Sequence, residues 1–304
     1  MQLDGIHHIS CITGDARTNL DFYTRVMGLR LVAKSVNQDD PTIYHLFYAD
    51  YDGSPGADLT FFEYPGALPG TAGAGMIHRI AFRVADEAAF DFWDARLSIE
   101  GVSVRREDGE LRFADPEGLS LALVADRSGD PPLRGRHPEI PPEHDLLGFD
   151  HVVAYGARLD GTARVLEEVL GATAQGDGTW ELRGTSRGGW IRYESPPAER
   201  GKPGGGTVHH VAWATELPEH AAWLARLQEA GVHSTRVSDR QCFPPIYFRE
   251  PSGVLYELAT KGPGFTVDDP LPALGSRLIL PPRFEPHRED IQERLTPLPD
   301  VARA

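Results

Sequence analysis

Cysteine is nearly absent, with two among 304 residues, Cys11 and Cys242. Two thiols supply neither a disulfide framework nor a cysteine-rich zinc site, and such scarcity suits a reducing compartment. Basic charge is short as well: 30 Lys and Arg stand against 45 Asp and Glu, a net charge of −15. Nucleic acid and anionic lipid both call for basic patches. No basic stripe runs through this sequence, so neither partner is expected. No apolar run approaches the roughly 18 residues of a membrane-spanning helix. The opening residues, MQLDGIHHIS, have neither the basic n-region nor the apolar h-region of a secretory signal, so the expected location is cytoplasmic. Nucleophile and nucleotide motifs are missing too: there is no Gly-x-Ser-x-Gly elbow, P-loop or dinucleotide fingerprint. Gly204-Gly205-Gly206 leads into a strand and reads as a loop, not a phosphate cradle.

What is present is ordinary for a folded chain, 40% hydrophobic and 25% charged. At about 150 residues per domain the length suggests two domains. One segment recurs four times: Ile6-His7-His8-Ile9, Ile77-His78-Arg79-Ile80, Phe149-Asp150-His151-Val152 and Val208-His209-His210-Val211. Each continues into alternating or apolar residues, as a strand does. A helical pattern follows each: residues 15–27, 85–100, 160–170 and 218–230, the last with Pro218 suited to a first turn. Gly28, Gly101, Gly171 and Gly231 stand just beyond, where helices are capped.

Short β-branched and aromatic stretches come next, such as Leu29–Val36, Thr42–Tyr48 and Asp58–Tyr64, or His233–Val237, Ile246–Arg249 and Val254–Thr260. Tight turns at Asp115-Pro116-Glu117-Gly118 and Glu250-Pro251-Ser252-Gly253 precede two last strands. The unit is therefore βαβββ. Arg127–Leu146 is charged, Pro-rich and without periodicity, and reads as a linker. The Pro-rich tail from Gly262 offers a short helix at Glu289–Leu295.

Four such units, with histidine in the first strand and Glu257 in a last strand, resemble the vicinal oxygen chelate superfamily over roughly residues 5–260. That group holds glyoxalase I, fosfomycin- and bleomycin-resistance proteins and extradiol dioxygenases. The tail text LGSRLILPPRFEPHREDI resembles the ending of its hydroquinone-type ring-cleaving branch. The resemblance implies an α+β fold of four βαβββ modules paired into two cup-shaped mixed-sheet domains. The expected division is 1–126 (modules one and two), a linker at 127–146, 147–261 (modules three and four) and a tail at 262–304. It also implies a ring-cleaving dioxygenase acting on a hydroquinone or related aromatic diol with O2, in a superfamily that often forms homo-oligomers. A glyoxalase-like isomerase and a drug-sequestering cup are the alternatives.

In such modules the third residue of the start motif and one near the end of the last strand point into the cup. Here the first set is His8, Arg79, His151 and His210. The second, aligned on Glu257, is Glu63, Ala122, Glu194 and Glu257. Module two has lost both ligands, so one cup is degenerate. Two histidines and a carboxylate suit Fe(II), and also accept Mn(II), Zn(II) or Ni(II). His210 and Glu257 belong to any such set. The third ligand is His8 if modules one and four share a cup, or His151 if three and four do. The tail and the matching His7-His8 and His209-His210 doublets favour His8. In the isomerase alternative Glu63 would be a fourth ligand.

The branch also implies that His7, Ser10, His209, Arg240 and Tyr247 orient substrate or move protons. His7 and His209 each neighbour a ligand, so a direct role for either needs a strand irregularity. A phenol at Tyr247 can donate to an oxygen species, and Arg240 can pair with an oxyanion. Isolated strand histidines are usually hydrogen-bonded structural residues, and His45, His137, His144, His220, His233 and His287 are read that way. Cys11 reads as a small buried filler.

Overall fold

The computed structural model describes residues 1–235 and 245–299; Arg240 and Cys242 lie outside them. The repeat in the sequence is a repeat in the fold. Module one runs β1 (Ile6–Thr13), α1 (Ala16–Asp21), β2 (Arg30–Val36), β3 (Tyr44–Ala49) and β4 (Asp58–Glu63). Module two is β5 (Ile77–Val84), α2 (Ala89–Ile99), β6 (Arg105–Glu107), β7 (Glu110–Ala114) and β8 (Ser120–Ala125). Module three is β9 (Phe149–Tyr155), α3 (Leu159–Arg164), β10 (Thr173–Gly176), β11 (Thr179–Arg183) and β12 (Gly188–Glu194). Module four is β13 (Thr207–Thr215), α4 (His220–Glu229), β14 (Pro245–Arg249) and β15 (Leu255–Thr260). Of the expected strand His233–Val237 the described residues show one bridge, Ser234 to Phe248.

Each helix ends as the pattern predicts. Gly28, Gly101, Gly171 and Gly231 all take positive φ, between 72° and 75°, which an L side chain resists. Helices α1 and α3 differ from a regular amphipathic helix because each runs on into a π-helical turn, Phe22–Val26 and Val165–Val169. The wider turn brings Phe22, Tyr23 and Thr24 to the buried side in succession, which a 3.6-residue period does not.

The sheets pair the modules out of chain order. A seven-stranded sheet runs β14-β15-β13-β1-β4-β3-β2 and joins module one to module four. An eight-stranded sheet runs β10-β11-β12-β9-β5-β8-β7-β6 and joins module two to module three. In both, the two first strands meet antiparallel at the centre, and each lies parallel to its own module's last strand. The division at 127–146 thus follows chain order and not sheet membership, since that segment connects two modules of one sheet. The chain crosses between sheets at residues 64–76 and 195–206 instead. Those crossings lie side by side, with Thr71 and Lys202 exchanging backbone hydrogen bonds of 2.8 and 2.7 Å and Gly70 N donating to Gly205 O at 2.8 Å. Both sheets feed one continuous apolar core that includes Trp93, Trp213, Trp223, Phe61 and Phe82.

The tail folds back over module one. Ile279 N donates to Lys34 O at 2.8 Å, Arg30 reaches the Leu271 carbonyl at 2.8 Å, and Phe265 packs edge-on against Phe47. Its helix α5 (Arg288–Arg294) is one residue earlier than expected and buries Ile291. Among the described residues no helix is long and apolar enough to cross a membrane.

Candidate metal centre

The central seam of the seven-stranded sheet carries the candidate ligands. His8 on β1, His210 on β13 and Glu257 on β15 are all buried, with His8 the most exposed at 7%. Their ligand atoms converge. His8 Nε2 lies 3.2 Å from His210 Nε2 and 3.2 Å from Glu257 Oε2, and His210 Nε2 lies 2.9 Å from the same Oε2. That carboxylate oxygen has no hydrogen-bond partner of satisfactory geometry. Two imidazole nitrogens and one carboxylate oxygen brought this close require a proton or a cation between them, because burial strips the charge of water. Burial pushes the Glu257 carboxyl up, but the two imidazoles outweigh this and hold it well below its usual range. Burial pulls His8 down, and the Glu257 carboxylate more than reverses that, leaving His8 above the ordinary imidazole value. The donor set and its geometry fit a divalent ion held by His8, His210 and Glu257.

A register shift between Ile6 and His8 makes this possible. The irregularity turns His7 behind His8 rather than to the opposite face. His7 Nε2 lies 3.1 Å from the Thr260 carbonyl, which only accepts, so this nitrogen carries the proton. In a neutral ring His7 Nδ1 then accepts from His8 Nδ1, 3.0 Å away. The free lone pair of His8 is therefore on Nε2, the atom facing Glu257. Burial, and then the adjacent His8, push His7 down to about 3, so it stays neutral. His209 repeats the contact on the other strand, its Nδ1 2.7 Å from His210 Nδ1. Both His7 and His209 thus touch the candidate ligands from behind.

Above the ligands opens a cavity of about 100 Å³. Phe47, Phe62 and Phe265 give it apolar walls, with the tail residues Ile279 and Pro281 closing one side. Tyr247 lines it, edge-on to His210 with ring centroids 5.4 Å apart. Ser10 lines it too, its hydroxyl 2.7 Å from Thr60 Oγ1. Arg240 lies outside the described residues.

His45 is a hydrogen-bonded strand histidine as expected, 3.0 Å from Thr60 Oγ1 and stacked on Phe62, and it also lines the cavity. Two expectations change. Glu63 is not at the site. The ladder sets Thr60 opposite Ser10 where Glu257 stands opposite Ala212, so Thr60 is the counterpart of Glu257. Glu63 instead accepts from Ala16 N and the Thr296 hydroxyl near the start of α1. By the same register Arg192, not Glu194, is the module-three counterpart, opposite Val153. A residue the sequence reading passed over also reaches the cavity. Asp58 sits beside His8 in the ladder, 1% exposed, and burial pushes its carboxyl up to about 7. Its signal was an acid opening a strand that is buried along nearly all its length, DLTFFE.

Among the described residues the other cup holds no such set. His151 is in the eight-stranded sheet, its Nδ1 2.8 Å from Asp150 and its Nε2 3.4 Å from Glu110. Arg79 stands in the ligand position and reaches Glu110 and Glu194, each at 3.5 Å. A guanidinium there takes the place of a cation and ties the carboxylates together. Cys11 is buried among apolar side chains and burial pushes its thiol well up, as suits a filler.

The comparisons agree with this architecture. A family model described as Glyoxalase/Bleomycin resistance protein/Dioxygenase superfamily matches residues 5–123 and 148–258. "Putative ring-cleaving dioxygenase MhqA" of Bacillus subtilis is 39% identical, covering 98% of this chain and 100% of that one. "Chlorohydroquinone/hydroquinone 1,2-dioxygenase" of Sphingobium indicum is 28% identical over 95% of each chain. The crystal structure of a "putative dioxygenase" from Bacillus subtilis superposes with a TM-score of 0.90 at 36% identity, covering 98% of both chains. Glyoxalase I from Zea mays shares the fold, with a TM-score of 0.57 at 16% identity over 84% of this chain and 92% of that one.

Proposed function

The chain belongs to the Glyoxalase/Bleomycin resistance protein/Dioxygenase superfamily, and from that membership we propose that it is a ring-cleaving dioxygenase that uses Fe(II) and O2 to open a hydroquinone or related aromatic diol. The observation that carries this reading is the convergence of His8, His210 and Glu257 beneath an aromatic-walled cavity. Two imidazoles and one carboxylate leave coordination positions open, as a metal that must take two reactants requires. When bound, the iron would couple the diol to dioxygen electronically and hold the two in reach of one another.

The protein's own side chains supply the rest. His7 and Thr260 fix the His8 tautomer, and His209 contacts His210 through the matching Nδ1 atoms. Phe47, Phe62 and Phe265 give a planar ring its apolar faces and keep bulk water off the ligands. Tyr247 places a phenol beside His210, where it can donate a hydrogen bond to an oxygen of the substrate. The engagement of Glu63 by Ala16 N and the Thr296 hydroxyl weighs against a four-ligand isomerase.

The test is oxygen uptake. Protein loaded anaerobically with Fe(II) and then mixed with hydroquinone in air should consume O2 in step with loss of the diol. Turnover of a hemithioacetal without oxygen uptake would replace this reading with the isomerase.

A further inference from the structure

Asp58 is a buried carboxyl whose two oxygens both lack a hydrogen-bond partner. It opens β4, faces the cavity and stands beside His8 in the ladder. Stranding a carboxyl away from water with nothing to pair it is unfavourable, so its partner is expected from what fills the cavity. Ser10 and His45 both lie on Thr60, and the His7 nitrogens are taken by His8 and the Thr260 carbonyl. The feature is confined to this side of one cup. The ladder neighbours of the other first strands are Ser120, Trp190 and, one residue before Tyr256, Leu255.

We propose that Asp58 accepts the hydroxyl of the aromatic diol that the metal does not take, and so selects diols with a second hydroxyl across the ring. The proposal rests on the diol reading of the cavity. A nitrogen each of His7 and His8 and an Asp58 oxygen lie within 4.8 Å of one another, which raises a second cation site as the rival. The engagement of both His7 nitrogens speaks against it.

Equilibrium binding without oxygen separates these. Metal-loaded wild type, Asp58→Ala and Asp58→Asn are titrated with hydroquinone and with 4-methoxyphenol, and their metal content is measured. Wild type should prefer hydroquinone. In Asp58→Ala the metal content should hold while hydroquinone affinity falls roughly 5- to 100-fold, to that of 4-methoxyphenol, the loss expected when a buried hydroxyl is left without its acceptor. Asp58→Asn keeps the shape and one acceptor oxygen, and should show a smaller loss of the same preference. It carries the test if the alanine variant does not fold. Loss of metal from Asp58→Asn would make Asp58 a ligand and overturn the proposal, as would an unchanged preference in both variants. A wild type that binds neither phenol would overturn the diol reading itself, and the role of Asp58 with it.

Discussion

His7 and His8 meet through their Nδ1 atoms at 3.0 Å, and His7 is held in turn by the Thr260 carbonyl. This relay presents the lone pair of His8 at Nε2, and it fails if His7 cannot accept. His7→Phe fills the space without an acceptor and leaves His8 Nδ1–H unpaired inside the protein. Loss of such an outer partner costs roughly 10- to 100-fold in metal affinity. We expect that weakening in a competition titration against a chelator. His7→Gln, whose side-chain oxygen can accept, should recover part of it.

His8 and His151 occupy the same position in their modules yet meet different neighbours. His8 joins His210 and Glu257, whereas His151 joins Asp150 and Glu110 in the other sheet. His8→Ala should therefore abolish stoichiometric metal binding. His151→Ala should keep one metal per chain and lose thermal stability instead. Elemental analysis and a melting curve on each variant decide the matter, and the reverse pattern would move the metal to the other sheet.

The fold was legible because the unit repeats: the start motif, the helix and its closing glycine recur on one register, and Gly28 and Gly231 take the same backbone conformation. The site was legible to the same extent, through the doublets His7-His8 and His209-His210. Counting back from strand ends misplaced Glu63, because register is set by hydrogen bonding between strands, and the ladder puts Thr60 at that position. Sheet partnership showed only through those doublets and the tail, which favoured modules one and four sharing a cup. The division at 127–146 missed it, because β13 arrives some two hundred residues after β1. Asp58 escaped notice because what places it in the cavity is the ladder that sets it beside His8, with Phe265 and the tail lining the same cavity, and no spacing encodes either.

Tyr247 stands edge-on to His210 on the strand next to Glu257, directly opposite that residue in the ladder. It does not belong to the converging set. Tyr247→Phe removes one hydroxyl and keeps the ring packing. Iron content should match wild type while turnover falls roughly 10²-fold, the lower range for a positioned proton donor. Steady-state oxygen uptake on iron-quantified protein checks this, and loss of iron would show that the tyrosine supports the ligands instead.

The degenerate cup should reveal itself through pH. Burial pushes the Glu110 carboxyl up, but hydrogen bonds from His151 and Arg112 with the charge of Arg79 outweigh it and hold Glu110 at about 2, against 4.5 unfolded. A depressed carboxyl contributes stability that is present above the unfolded value and is lost as pH falls through the folded one. His151 moves the opposite way: burial lowers it, the Asp150 and Glu110 carboxylates outweigh that, and its contribution is full below 6.5 and fades as pH rises through its raised value. The two overlap between about pH 4.5 and 6.5, where the cluster is most stabilising. Glu110→Gln should therefore be most costly in that window, by about 2 kcal/mol once solvent screening is allowed for. The cost should shrink steadily as pH falls from 4.5 towards 2. Urea unfolding of wild type and variant at a series of pH values measures the difference, and a cost that stays level across that fall would mean Glu110 contributes by packing and not by charge.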